Sequence, residues 1–331
     1  MTGRRSRSSG WALAAAMLAL SPSLARAETG VLAASREAVV APAQVPAQGP
    51  ASGHVAPAPS QSIPARADHA AASGFQIASL RQVPRQLSKE CSVRGSTVEG
   101  RSPLRAMRRA LRESRPVKVL AIGSSSIVGV GASSPVAGYT VRLEHDLEGF
   151  LKGFDIDLIP SGMSGEQAEG TAARIRAEVE EKLPDLIVWQ VGTNDAMAGV
   201  GEERITNCLR TTLDWLAKKK VDVVLINPQY VDRLAADDYY RRVVEIIADV
   251  ARERRVLVVD RYQAMAELAW KNGNNTYLAS DKFHLNDLGY RCMAEYSARA
   301  IVSGILQADA EPVASPVPAQ APDFAERAGI R

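Results

Sequence analysis

The sequence predicts a three-layer α/β/α fold of the flavodoxin-like kind, with a five-stranded parallel sheet in the order 2-1-3-4-5. Short apolar runs rich in β-branched residues alternate with amphipathic stretches across residues 86–306, the pattern of successive βαβ units. These runs carry almost no polar alternation, as expected of strands covered by helices on both faces. Glycine-bearing motifs follow the first three runs, and an open α/β sheet binds its ligands beyond the carboxyl ends of its strands.

The strands are expected at Val117–Ile122, Ile156–Ile159, Leu186–Gln190, Val223–Ile226 and Val256–Val259. Ser102 and Pro103 suit the N-cap and first position of a helix. In that helix Leu104, Met107 and Leu111 share one face, and Arg105, Arg108, Arg109 and Arg112 are expected to point to solvent. Further amphipathic stretches cover residues 139–151, 171–182, 203–218, 237–254 and 287–306. Within 203–218, Ile205, Leu209 and Leu216 form a stripe adjoined by Cys208, which reads as a buried core thiol.

The flanks differ sharply in composition. Residues 1–27 combine a basic start (MTGRRSRSSG), a short apolar run (WALAAAMLAL) and the small-residue site Ala25-Arg26-Ala27, the three parts of a signal peptide. The apolar run is about half of the ~20 residues needed to span a bilayer. No later stretch is long and apolar enough to do so, which predicts a periplasmic or secreted protein without stable membrane insertion after cleavage. Residues 28–85 are rich in Ala and Pro, with Pro42, Pro46, Pro50, Pro57, Pro59 and Pro64, and residues 307–331 resemble them. Such segments bury too little apolar area to offset their ordering entropy, so a disordered linker and a disordered tail are expected.

The chain carries 40 basic and 37 acidic residues, a formal charge of +3. The leader holds four arginines (Arg4, Arg5, Arg7, Arg26) and no acid, so its removal leaves 36 basic against 37 acidic residues. That near-neutral balance argues against a nucleic-acid partner. Of three cysteines, Cys91 precedes the first helix and Cys292 lies in the last. Chain ends can dock together in such a fold, so an oxidising compartment is expected to favour a Cys91–Cys292 disulfide and leave Cys208 as a thiol.

The strand-end motifs are Gly123-Ser124-Ser125-Ser126, Ser161-Gly162-Met163-Ser164-Gly165 and Gly192-Thr193-Asn194-Asp195. A serine hydrolase needs a nucleophile, a base and donors aimed at a developing oxyanion. Of four histidines, His54 and His69 fall in the linker and His145 on a polar helix face, which leaves His284 as the base. Asp281, three residues upstream, can hold its imidazole in one tautomer. The nucleophile elbow G-x-S-x-G is absent, because Ile127 stands at its last position. By local sequence alone the three serines are equivalent, and such a turn equally suits helix capping or phosphate binding.

Together the four blocks resemble the SGNH/GDSL hydrolase family, in its order, from about Val117 to Ile305. The resemblance implies Ser125 as nucleophile, since its distances from Gly123 and Gly129 match the first block, although Ser124 stands where the family has aspartate. It implies His284 as base and Asp281 as acid. The oxyanion hole would comprise the backbone N–H groups of Ser125 and Gly162 and the Asn194 amide. The implied reaction is ester hydrolysis through an acyl-enzyme, with no cofactor and no metal. The family also contains thioesterases, lysophospholipases, carbohydrate O-deacetylases and acyltransferases, and the sequence does not choose among them; with export, a short-chain or O-acetyl ester of a small molecule or glycan is the expected substrate, and a monomer is expected.

Two other readings compete. A catalytically silent carbohydrate- or acyl-binding protein of the same fold would show decay at one of these positions, and none is decayed. A dinucleotide-binding fold is suggested by Gly129-Val130-Gly131, but Ser134 stands where the third glycine belongs. Finally, the stretch Tyr230–Tyr240 is a candidate pocket wall whose aromatic ends suit either packing or a sugar platform.

Overall fold

The computed structural model describes residues 87–310. The expected leader, nearly all of the linker, the tail beyond residue 310, and His54 and His69 lie outside the described residues.

In chain order the elements are β1 (Val98–Glu99), α1 (Arg105–Arg112), β2 (Val117–Gly123), α2 (Ser125–Val128), α3 (Tyr139–Phe150), β3 (Ile156–Gly162), α4 (Ala168–Lys182) and β4 (Leu186–Gln190). There follow α5 (Thr193–Met197), α6 (Glu202–Lys219), β5 (Asp222–Ile226), α7 (Asp232–Ala235), α8 (Asp238–Arg254), β6 (Leu257–Val259), α9 (Arg261–Asn272) and α10 (Asp287–Ala310). The sheet order is β1-β6-β5-β4-β2-β3. All pairs are parallel except β1 with β6. The five parallel strands, counted among themselves, therefore run 2-1-3-4-5 as expected, and β1 adds a two-residue antiparallel edge too short to announce itself in sequence.

Strand alternation builds two cores. Val119, Ala121 and Val188 point to one face, where they pack with Met107, Leu143, Leu268 and Ile301 of α1, α3, α9 and α10. Leu120, Ile122, Ile187 and Trp189 point to the other, against Ile175, Leu209, Leu213, Val243 and Ile247 of α4, α6 and α8. Every residue of β4 is buried, and each fully buried aliphatic side chain contributes about 1.5–3 kcal/mol. This is why the run reads as continuously apolar.

Three details depart from expectation. Helix α1 starts at Arg105, with Leu104 rather than Ser102 in the capping position and no side-chain cap of its own. The cap comes from another strand: Asp222 Oδ2 accepts the Met107 N–H at 2.9 Å. Arg108 is buried rather than solvent-facing. Helix α9 is not announced by the sequence, because Ala264 and Ala269 supply much of its buried face and give a weak apolar period.

Cys91 and Cys292 are joined in a disulfide with Cα atoms 5.1 Å apart, linking positions separated by 201 residues. Tyr296 Oη donates to the Cys91 carbonyl at 2.7 Å beside it. Cys208 is half-buried, and burial pushes its thiol up to about 11. No described helix is long and apolar enough to cross a membrane.

Candidate active site

The carboxyl ends of β2, β3 and β4 are pressed together through glycine. Strand β3 continues past the expected Ile159 to Gly162, which pairs in register with Gly123 of β2. A Cβ at Gly123 would lie 2.6 Å from the Gln190 carbonyl of β4, and one at Gly162 would lie 2.7 Å from Val128 N of α2. Both positions exclude any side chain, so the backbone around the serine turn approaches its neighbours more closely than other residues permit.

The chain turns from Gly123 into α2, and the three consecutive serines become distinct. Ser124 is spent on β4: its N–H and its Oγ both donate to Gln190 Oε1, at 2.9 and 3.0 Å. Ser126 Oγ accepts from Arg261 Nη1 at 3.1 Å. Arg261 is fully enclosed, burial brings its guanidinium down to about 10, and its Nε also donates to the Asn227 carbonyl. Ser125 is the most exposed of the three at 8%, against 4% and 2%. Its hydroxyl makes no hydrogen bond among the described residues.

The Asp281–His284 turn is self-contained. Asp281 Oδ1 accepts the backbone N–H groups of Phe283 and His284, both at 2.9 Å, while Oδ2 lies 2.6 Å from His284 Nδ1. Lys282 takes the left-handed conformation (φ 55°) that closes the turn. Burial opposes ionisation of Asp281, but its bonds to the His284 ring and the two backbone N–H groups prevail and hold the carboxyl below its ordinary value. An ionised carboxylate only accepts, so Nδ1 carries a proton and the base available in the neutral ring is Nε2.

Two contacts seat this turn in the crevice. A Cβ on Gly131 would meet Leu285 O at 2.5 Å and His284 Cβ at 3.0 Å, so the loop leaving α2 packs directly on the histidine segment. Gln229 Nε2 donates to Phe283 O at 2.8 Å, tying the β5–α7 connection to the same turn. Arg233 lies over the Phe283 ring, 5.7 Å from its centroid. No hydrogen bond joins Ser125 to His284 among the described residues, and such contacts commonly tighten only when substrate is bound.

Asn194, in α5, donates through Nδ2 to the Glu166 carbonyl at 2.8 Å. An amide has two such hydrogens, and the second is left for a ligand. The adjacent Asp195 is buried, accepts the Ala168 N–H at 2.9 Å, and is pushed above the ordinary carboxylate range by that burial. Gly162 and Met163 are exposed at the crevice.

The fold thus gathers Ser125, Gly162 and Asn194 at one sheet edge, with the Asp281–His284 turn packed against the loop that follows Ser125. His145 lies on α3, and its side chain is 86% exposed. Tyr240 is buried with its Oη bonded to the Gln229 carbonyl, and Tyr230 packs edge-on against Tyr262 while donating to Asp232. The aromatic ends of 230–240 therefore serve packing. Sequence reasoning missed Gln190, Glu166, Arg174 and Gln229; single polar residues inside strands, loops and helices carry no local signal of long-range partners.

An α/β/α sheet with a serine turn and an Asp–His pair at its carboxyl edge is the arrangement of a hydrolase of the SGNH/GDSL class. The chain belongs to the non-GDSL lipase-like family, whose profile matches residues 90–307. No curated protein sequence matches it.

Among solved structures it is similar to a two-domain esterase active on acetylated mannans, co-crystallised with mannopentaose. The two share 16% identity over 64% of this chain and 56% of that one, with a TM-score of 0.53. It is also similar to a lipase/acylhydrolase from Enterococcus faecalis (24% identity, 56% and 95% coverage, TM-score 0.49). A third is an acetylxylan esterase from Geobacillus stearothermophilus (22%, 56% and 94%, 0.49). The chain spans little more than half the length of the two-domain esterase.

Proposed function

We propose that the protein hydrolyses carboxylic esters through an acyl-enzyme on Ser125. The observation that carries this reading is the uncommitted Ser125 hydroxyl between two serines already bonded elsewhere. Ser125 Oγ attacks the ester carbonyl as His284 Nε2 takes its proton. Asp281 stabilises the resulting imidazolium, and the oxyanion is met by the N–H groups of Ser125 and Gly162 and the free Asn194 hydrogen. His284 then protonates the leaving alcohol, and a water activated by the same imidazole releases the acid.

The substrate in this reading is a short-chain or O-acetyl ester on a small molecule or glycan. Activity on acetylated mannans in the two-domain esterase makes acetylated glycans the first to screen. We infer further that the chain is exported with cleavage after Ala27, leaving a linker at 28–85, the catalytic domain at 86–306 and a tail at 307–331. The Cys91–Cys292 bond supports an oxidising destination such as the periplasm or the exterior.

The test is labelling with a fluorophosphonate together with turnover of p-nitrophenyl acetate. Wild type is expected to be labelled and active, and Ser125→Ala to be neither. Turnover by Ser125→Ala near the wild-type rate would sink the assignment, and binding of glycans without labelling would favour a silent binding protein. Sequencing the N-terminus of the exported protein tests the leader, with Glu28 expected first.

A further inference from the structure

Two peptide units at the crevice are held from behind by one guanidinium. Ser161 C=O and Gly162 N–H belong to the same planar unit, so the direction of one sets the direction of the other. Arg174 Nη1 and Nη2 both donate to the Ser161 carbonyl at 3.3 Å. Gly123 C=O shares a unit with Ser124 N–H in the same way. It accepts from Arg174 Nη2 at 3.3 Å and from Met163 N at 3.0 Å, while the Ser124 N–H is held by Gln190.

Arg174 is itself aimed by a bidentate fork: Nε to Glu166 Oε1 at 2.9 Å and Nη2 to Glu166 Oε2 at 2.6 Å. Thr171 Oγ1 donates to the same carboxylate at 2.8 Å. Arg174 Nη1 also reaches Ser161 Oγ and Glu178. The backbone carbonyl of Glu166 takes the Asn194 amide hydrogen described above. One side-chain pair on α4 and its leading loop thus touches the peptide unit carrying Gly162 N–H, and its acidic member carries on its own backbone the acceptor that fixes Asn194. A surface ion pair would need only the fork; here the remaining guanidinium hydrogens are shared among the carbonyls at the ends of β2 and β3, Ser161 Oγ and Glu178.

We propose that Arg174 and Glu166 are a positioning pair that sets the directions of two oxyanion donors, the Gly162 N–H and the Asn194 amide, without touching substrate. The proposal rests on the oxyanion-hole reading given under the proposed function. In the ground state an ester carbonyl demands little of those donors, whereas the tetrahedral intermediate depends on their alignment. Loss of the pair therefore acts on kcat more than on KM.

Arg174→Met, Arg174→Lys and Glu166→Gln are to be compared on p-nitrophenyl acetate beside Ser125→Ala and Asn194→Ala, with Tm recorded for each. Deleting a donor outright costs about 10²- to 10³-fold, so misaligning two is expected to lower kcat of Arg174→Met by about 30- to 100-fold with KM within about threefold. Arg174→Lys keeps the charge without the fork and should fall between. Added methylguanidinium should restore part of kcat in Arg174→Met and leave wild type unchanged. A folded Arg174→Met with kcat within about threefold of wild type overturns the proposal. So does a loss that tracks Tm and resists methylguanidinium. Should Arg174→Met not fold, Glu166→Gln decides by the same kcat-against-KM split. If Ser125→Ala or Asn194→Ala stays active, the functional reading itself fails, an outcome distinct from failure of the positioning pair alone.

Discussion

The two ends of the parallel sheet treat polar groups in opposite ways. At the amino end the carboxylates of Asp185 and Asp222 are both committed to partners. Asp185, before β4, accepts the Arg115 fork at 2.7 and 2.6 Å and the Lys118 N–H at 3.1 Å. Asp222, the first residue of β5, caps α1. At the carboxyl end, valences stay open. The Ser125 hydroxyl has no partner among the described residues, Asn194 spends one amide hydrogen, and His284 binds Asp281 through one ring nitrogen only. A buried polar group without a partner costs about 1–3 kcal/mol, so the enclosed end has to be complete. The crevice is open to solvent at Gly162 and Met163, so the valences there can be left for a substrate.

If this contrast is sound, substitutions at the carboxyl end should damage turnover and spare the fold, and those at the amino end the reverse. The largest effect is expected of His284→Ala, a loss of kcat on the order of 10⁴-fold with Tm nearly unchanged. A Tm collapse there would break the contrast. Asn194→Ala should lower kcat by about 10²- to 10³-fold, again at constant stability. In the other direction, Asp185→Ala strands the half-exposed Arg115 and the Lys118 N–H, and should cost about 1–3 kcal/mol in urea unfolding. Its kcat should stay within about twofold of wild type, the range expected of a residue outside the reaction.

The smallest and sharpest test is the pH dependence of Asp222. Burial raises its carboxyl from 3.8 to about 7, against the bonds it accepts from the α1 backbone. Between those values the folded chain binds a proton that the unfolded chain has lost. The Asp222 contribution is therefore most favourable below about pH 4 and is lost as pH rises through about 7. Asp222→Asn removes that titration and keeps an acceptor for α1. Relative to wild type its Tm should rise from pH 5 to pH 8 by at least the roughly 2–4 °C that ~1 kcal/mol gives in a domain of this length. A parallel pH response of the two proteins would refute the burial account, and a change in kcat would blur the division between the sheet ends.

Much of this fold was legible in advance because its signals are local. The five parallel strands stand within a few residues of their expected positions, since a strand buried on both faces must be apolar throughout. Edge strand β1 was not legible, because two residues carry no periodicity. Nor was the cap of α1: Ser102 looks the natural choice, but Asp222, distant in sequence, reaches the helix in space. The buried Arg108 misled for a related reason, since burial belongs to the neighbours of a helix as much as to its own spacing.

By itself the sequence determined the five parallel strands and most of the helices between them, the order of four chemical blocks, and the Asp281–His284 turn, all of which depend on contacts within a few residues. Only the tertiary structure decided which of three adjacent serines is free and what aims the donors around it. Those answers lie in bonds that span 66 residues from Ser124 to Gln190, 135 from Ser126 to Arg261 and 28 from Glu166 to Asn194. A hydroxyl is available only when everything near it has found another partner, and at such separations folding alone brings those partners together.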